Sequence, residues 1–444
     1  MSLNTTEIPQ TNNIVITDRL DGLLNYHYKT CENKDVLTNH ESSFRGFIQT
    51  EEGKDIVLPF SFCPEINVDN ENELRTIAYP LLSKQEKYEV FNSIESTLVR
   101  VFLYKSVWHV STSKKLDAFE SRWAGSKSFG ELFAMSIRHL IGITEDDLSD
   151  KDRIQQWCSE SLFDDVVYHF LIQTYKETRI VCMPFEYPAL YLVGINKTDE
   201  NGIELIECIN EPSRYIRKYS EELTKNHSEM IREDNKFDLI SEDAFVEDVK
   251  RKIKETNIFI HQGLIAINKH ITVKFLHPSY AEGVKLRGNQ PSVIYRYIEL
   301  QQAGETHEKM DKFVSLYPEY FEEFCSFTNI LKDISDNIFR KYRNRFVRKT
   351  VSIAPSEQYY IIRELHEQYL ANKTNIVTPE RVEEYIQSLP PQRIMTLYKA
   401  FLQRQKEYGH GNKINDEHYT RVENLIHSKK VNTTEEVVEE KRTQ

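Results

Sequence analysis

Up to about residue 300 the apolar positions come in short, often alternating runs, and beyond it they settle into a helical spacing. The chain therefore reads as strands mixed with helices, followed by helices alone. NIVITDRL, DIVLPFSF and TIAYPLL, between about 14 and 80, are strand-like and separated by turn-rich pieces such as PEINVDNENE. LVRVF and WHV predict two strands joined by a turn at Tyr104 to Val107. SFGELFAMSIRHLIGITEDD (128–147) has helical spacing, a second helix is expected after Ser149 and Asp150 as cap-like residues, and DAFESRW also has a helical texture. Between Pro212 and Glu255 the sequence turns polar, with SEDAFVEDVKRKIKE as its clearest amphipathic helix. Pro318, Pro355, Pro379 and Pro390–Pro391 suggest the breaks between the C-terminal helices.

The fold class this predicts is α+β with antiparallel sheets, followed by an all-α domain. The expected divisions are a disordered 1–13, an α+β domain over 14–300 with a helical insert at 212–255, a helical domain over 301–427 and a disordered tail at 428–444.

With 444 residues and a net charge of −12, bulk charge does not favour nucleic acid, so any such contact must be a local basic patch. The six cysteines (31, 63, 158, 182, 208 and 325) show no metal or disulfide spacing and suit a cytosol-like compartment. No apolar run reaches bilayer length and the N-terminus is polar, so a cytoplasmic protein without membrane partners is expected.

The sharpest basic patch is FRKYRNRFVRK, in which Arg340, Lys341, Arg343, Arg345, Arg348 and Lys349 interleave with Phe339, Tyr342 and Phe346. Guanidinium forks match phosphate oxygens, so this reads either as an RNA or DNA track or as a helix balanced by acidic neighbours. Lys285 and Arg287, in the turn-rich GVKLRGNQPS, could hold a phosphate or simply connect two elements. Arg214, Arg217 and Lys218 around Tyr215 and Tyr219 read more simply as a solvated face, and His261 as a structural histidine.

Three segments, YEVFNSIESTLVRVFLYKSVWHVSTSKKLDAFESRW, YHFLIQTYKETRIVCMPFEYPALYLVGI and IFIHQGLIAINKHITVKFLHPSYAEGVKLRGNQPSVIYRYIE, together resemble a phage-type RNA ligase of the covalent nucleotidyltransferase family. The resemblance covers roughly residues 75–400 and is closest to RNA-ligase-like proteins of large cytoplasmic DNA viruses, through Glu95, Ser96, Thr97, Leu98 and Arg100. It implies an antiparallel nucleotidyltransferase domain with a helical appendage. The family's attachment signature K-x-D-G falls on Ser93, Ile94, Glu95 and Ser96, its metal-directed glutamate on Ile172, and its later Glu and Lys on Gln262 and Leu276, while one lysine survives as Lys274.

Serine cannot form the lysine phosphoramidate, and isoleucine and glutamine cannot hold a hard cation. The resemblance thus implies a pseudoenzyme with no catalytic residue, no metal and no cofactor, acting as an RNA-binding or assembly factor with viral protein partners. Phosphate contacts are expected from Arg100, Lys114, Lys115 and Lys274. Two alternatives stay open: an active ligase using ATP and magnesium with Lys115 of the K-L-D-A tetrapeptide as displaced nucleophile, or a virion scaffold component.

Overall fold

The computed structural model describes residues 6–8, 12–29, 41, 44–60, 62–85, 87–173, 178–183, 187–199, 202–207, 211–268, 271–304, 306–350, 352 and 354–408. The chain divides into two compact units, Met1–Pro291 and Ser292–Gln444. The expected disordered tail at 428–444, and most of 1–13, lie outside the described residues.

In the first unit β1 (Ile14–Leu20), β2 (Leu23–Tyr28), β3 (Arg45–Thr50) and β4 (Asp55–Val57) form one antiparallel sheet in chain order. β5 (Glu65–Asn67) and β6 (Glu89–Ile94) precede the hairpin of β7 (Ser96–Tyr104) and β8 (Val107–Ser111), which turns at Lys105 and Ser106 with φ of 49° and 63°. Two positive φ values suit the twist of a two-residue hairpin, and the turn lies where the sequence places it. β9 (Val166–Gln173), β10 (Leu190–Asp199) and β11 (Gly202–Glu207) complete a five-stranded sheet ordered β11-β10-β9-β7-β8. β12 (His261–Ile267) and β13 (Thr272–Leu276) form the third sheet, β5-β13-β12-β6, in which only β5 and β13 run parallel.

Period-two alternation gives the five-stranded sheet two different faces. Val99, Val101, Tyr168, Phe170 and Ile172 share a buried cluster with Phe133 of α1 (Phe129–Leu140) and Trp157 of α2 (Asp150–Ser161). The helices begin as their capping residues dictate: Ser128 and Glu131 form a reciprocal capping box, and Ser149 caps α2. Leu98, Arg100 and Phe102 take the other face, where Phe102 packs with Leu23, Ile48, Val57 and Leu116. After α3 (Ser220–His227), α4 (Glu242–Lys254) lays Phe245 and Val249 on Leu264 and Phe275 of the third sheet.

Three local expectations are corrected. TIAYPLL is not a strand but continues from a π-turn, Leu74–Ala78, into a helical turn, Tyr79–Leu82, because Asn70 caps the preceding turn and buries Leu74, Ala78 and Leu82 together. DAFESRW forms only a short 3₁₀ turn, Ala118–Glu120, capped by Asp117 before the chain extends again. GVKLRGNQPS begins inside α5 (Pro278–Arg287), nucleated by Pro278 in the first turn and the His277 cap and ended at Gly288 with φ 59°.

The described elements of the second unit are all helical: α6 (Val293–Gln302), α7 (His307–Leu316), α8 (Phe321–Tyr342), α9 (Ser356–Ala371), α10 (Pro379–Gln387) and α11 (Pro391–Tyr408). The prolines mark starts: Pro318 opens a 3₁₀ turn before α8, Pro355 precedes α9, and Pro379 and Pro391 begin α10 and α11. α8 buries Phe324, Phe327, Ile334 and Ile338 and touches α9, α10 and α11.

Candidate functional site

The residues matching the ligase signature lie where β6 ends and β7 begins, facing the start of β12. Ser93 is buried and pairs with Gly263 across the two strands. A side chain at Gly263 could not exist, since a Cβ would fall 1.9 Å from the Phe275 carbonyl oxygen at a φ of +149°. Gln262 sits at the irregularity beside it and gives its amide N–H to the Ile94 carbonyl at 2.6 Å. The amide is thus spent on the backbone of β6.

Glu95 is buried and accepts the backbone N–H groups of Ile180, Val181 and Cys182 at 2.5, 2.9 and 3.2 Å. Successive amides of this kind make an anion-binding concavity, and here the anion is the chain's own carboxylate. Burial, reinforced by Glu95, pushes the Cys182 thiol and the Tyr280 phenol up. Arg179 closes the same loop by donating to the Val181 and Cys182 carbonyls, both at 3.2 Å. Glu95 is thereby a positioning residue that ties 180–182 to the β6–β7 junction, a role absent from the sequence reading.

Ile172, the counted glutamate position, points into the helix-covered core with Tyr168 and Phe170 and does not reach this face. The alternation of those three residues is the signal that could have placed it. Gln173, opposite Ser96 on β7, takes the other face and is buried, its amide nitrogen without a partner among the described residues. Leu276 ends β13, and Lys274 binds Glu65 at 2.9 Å directly across the β5–β13 pair. Among the described residues no group of three or more His, Cys, Asp or Glu side chains is placed to hold a metal ion.

The expected phosphate contacts fare unequally. Arg100 has no exposed surface: it lies between strands and donates to the Gly46 carbonyl at 3.1 Å, so direct contact with a surface ligand is corrected. Lys115 is turned to Asp18 at 3.6 Å, whereas Lys114 is exposed and its side chain meets no described partner. Arg287 is also corrected: it is fully buried, donating to the Gln290 and Pro291 carbonyls to fasten the end of α5. Lys285, two residues earlier on α5, is exposed. Arg214 pairs with Glu211 and Lys218 with Glu160, while Arg217 lies over the Phe163 ring at 4.6 Å.

The second-unit patch is only partly the helix face the sequence suggests. α8 ends at Tyr342 and the chain continues through a π-turn, Arg343–Val347. Lys341 is buried and leaves the candidate surface, because the helical period turns it inward beside Tyr342. Arg340, Arg343, Arg345, Arg348 and Lys349 remain exposed. Among the described residues no carboxylate pairs with Arg343, Arg345, Arg348 or Lys349; Arg343 lies over Phe339 at 5.8 Å and Arg345 over Tyr359 at 5.2 Å. Phe346 stacks on His366 with centroids 3.6 Å apart. No acidic residue occurs between Asp336 and Glu357, so the patch carries its charge locally in an otherwise acidic chain.

No protein-family model matches the chain. No described helix is long and apolar enough to cross a membrane. The chain is similar to the immediate-early protein ICP-46 homolog of Invertebrate iridescent virus 3, at 25% identity over 331 residues, 74% of this chain and 65% of the relative. It is 23% identical to the homolog of Invertebrate iridescent virus 6 over 354 residues, 78% and 72% of the two chains. It is 25% identical to immediate-early protein ICP-46 of Frog virus 3 (isolate Goorha) over 223 residues, 49% and 51%. The chain thus spans just under two thirds of the first of these relatives and about half of the third. Among solved structures, a putative ATP-dependent DNA ligase from Aquifex aeolicus matches with a TM-score of 0.34 at 13% identity, covering 80% of this chain and 85% of that one. An archaeal ATP-dependent RNA ligase matches with a TM-score of 0.35 at 9% identity over 72% and 77%. Scores this low assign no residue role here, and the relationship that stands is sequence similarity to iridovirus immediate-early proteins.

Proposed function

We propose that this protein binds RNA without nucleotidyl transfer, using the basic turn at Arg343–Lys349, and serves as an RNA-binding or assembly factor in a viral system. The observation that carries the reading is the group Arg343, Arg345, Arg348 and Lys349, exposed and unpaired with any described carboxylate in a chain of net charge −12. Flanking aromatic rings hold the guanidinium groups without neutralising them, which leaves the charge available to phosphates. Loss of transfer chemistry is supported at the signature positions: Ser93 is buried, Ile172 lies in the core and the Gln262 amide is bonded to Ile94.

The test is binding of labelled single-stranded RNA to the full chain over a range of salt. Affinity should fall steeply with salt, and replacing Arg343, Arg345 and Arg348 by alanine should reduce the logarithmic salt slope by about 2. Salt-independent or absent binding would sink the RNA reading and leave assembly alone.

A further inference from the structure

The rings beside the basic turn form a series of their own. Tyr359, His366 and Tyr369 recur on α9 at helical spacing, which puts them on one side of the helix along about 15 Å. Phe346, from the π-turn, lies almost parallel to His366, with ring planes 10° apart, and the Tyr369 ring follows His366 at 6.1 Å. Tyr342 is buried and backs the pair, its ring 5.3 Å from Phe346 and 6.0 Å from His366. Phe346, Tyr359, His366 and Tyr369 are all partly exposed.

Cations flank the series. Arg345 lies 5.7 Å from the Phe346 ring and 5.2 Å from Tyr359, and Lys373, just past the end of α9, lies 4.4 Å from Tyr369. The imidazole is uncharged at neutral pH, since burial first and Lys373 second hold it below its ordinary value. Glu367, its neighbour on α9, is paired with Arg363 at 2.8 Å. Flat uncharged rings interleaved with cations suit a polymer that alternates flat bases with phosphates. A duplex hides its base faces in its own stack and offers these rings nothing, whereas an unpaired strand offers both base and phosphate.

We propose that the rings of Phe346, Tyr359, His366 and Tyr369 stack the unpaired bases of an RNA strand whose phosphates are held by the basic turn and Lys373, which makes a single strand, not a duplex, the ligand. The proposal rests on the RNA reading of the basic turn and adds what that reading leaves open, the strandedness of the ligand. Charge alone would hold either form.

The test is titration of the full chain with a short RNA strand, with the same sequence as a duplex and with a polyglutamate peptide of equal charge, each over a range of salt. The strand should bind about tenfold or more tightly than the duplex or the peptide, and H366L/Y369L should weaken strand binding about tenfold or more without changing its salt slope. Leucine is a good helix former, so the variant should fold, which circular dichroism checks. Independently of any variant, a fluorescent base analogue placed in the strand should be quenched when it binds the wild-type chain. A duplex or peptide bound as tightly as the strand, equal strand binding by the folded variant, or an unquenched base would overturn the stacking site; a steep salt slope in those cases would leave the charge reading of the basic turn standing. No binding of any probe would remove both.

Discussion

Arg100 and His169 lie directly opposite each other on β7 and β9, both without exposed surface, and neither forms an ion pair among the described residues. The Leu58 N–H donates to Asn196 Oδ1 at 2.9 Å, which fixes the orientation of that amide. His169 Nε2, 3.2 Å from the same oxygen, must then carry the ring proton, leaving Nδ1 bare. Burial first, and Arg100 second, push the imidazole down to about 3.

A histidine whose pKa falls on folding binds its proton more readily in the unfolded chain, so its contribution to stability rises with pH between about 3 and 6.5 and is lost as the pH falls through that window. Between pH 7 and pH 5 the loss from this one group is about 2 kcal/mol. Urea unfolding of wild type and His169→Gln at the two pH values checks this. The variant should show a correspondingly smaller difference between them; an unchanged difference would mean that His169 is not held neutral.

Glu95→Gln keeps an acceptor oxygen for the 180–182 amides but removes the charge that strengthens those bonds. It should destabilise the protein by about 2 kcal/mol, and Glu95→Ala by more, since three N–H groups, two of them buried, then lose their partner. Wild-type stability in both would mean that the loop is held by other contacts.

How much of this was legible in the sequence depends on the range of the interaction. The β7–β8 turn is local and follows from four consecutive residues, as do the Ser149 cap and the helix starts at Pro379 and Pro391. The Glu95 anchor joins residues 85 apart to backbone amides, which carry no residue-type signal. Ile172 could have been placed by its alternation with Tyr168 and Phe170, which share its buried cluster. Arg100 and Arg287 read as surface cations because burial of arginine is rare, and their backbone acceptors appear only once the strands and α5 are in place.

Gly46→Ala should be costly for two reasons that add at one site. A φ of +84° strains any residue with a Cβ, and the new methyl would press on the Arg100 guanidinium and the Ser113 backbone. A loss of about 2 to 3 kcal/mol is expected, measured by denaturant titration. The nearby exposed Arg45→Gln should change stability by less than about 0.5 kcal/mol in the same experiment. Equal effects of the two substitutions would show that this position is not under strain.

Lys115 is the residue on which an active enzyme would depend. Attack on an α-phosphorus needs a deprotonated amine aimed at the nucleotide, whereas Lys115 Nζ is turned to Asp18, and Asp18 also accepts the Leu116 N–H at 2.8 Å. The Thr112 N–H, donating to the Lys115 carbonyl at 2.8 Å, closes the same turn, so the lysine belongs to a clamp between β1 and the end of β8. Incubation of the full chain with labelled ATP or GTP and magnesium or manganese should therefore leave no covalent label after denaturing electrophoresis, while an authentic ligase run in parallel is labelled. Lys115→Ala should leave RNA binding and its salt slope unchanged, because the basic turn at 343–349 carries them. A labelled lysine, located by peptide mapping, would overturn the non-catalytic reading; label that vanishes in Lys115→Ala would identify Lys115 as the displaced nucleophile.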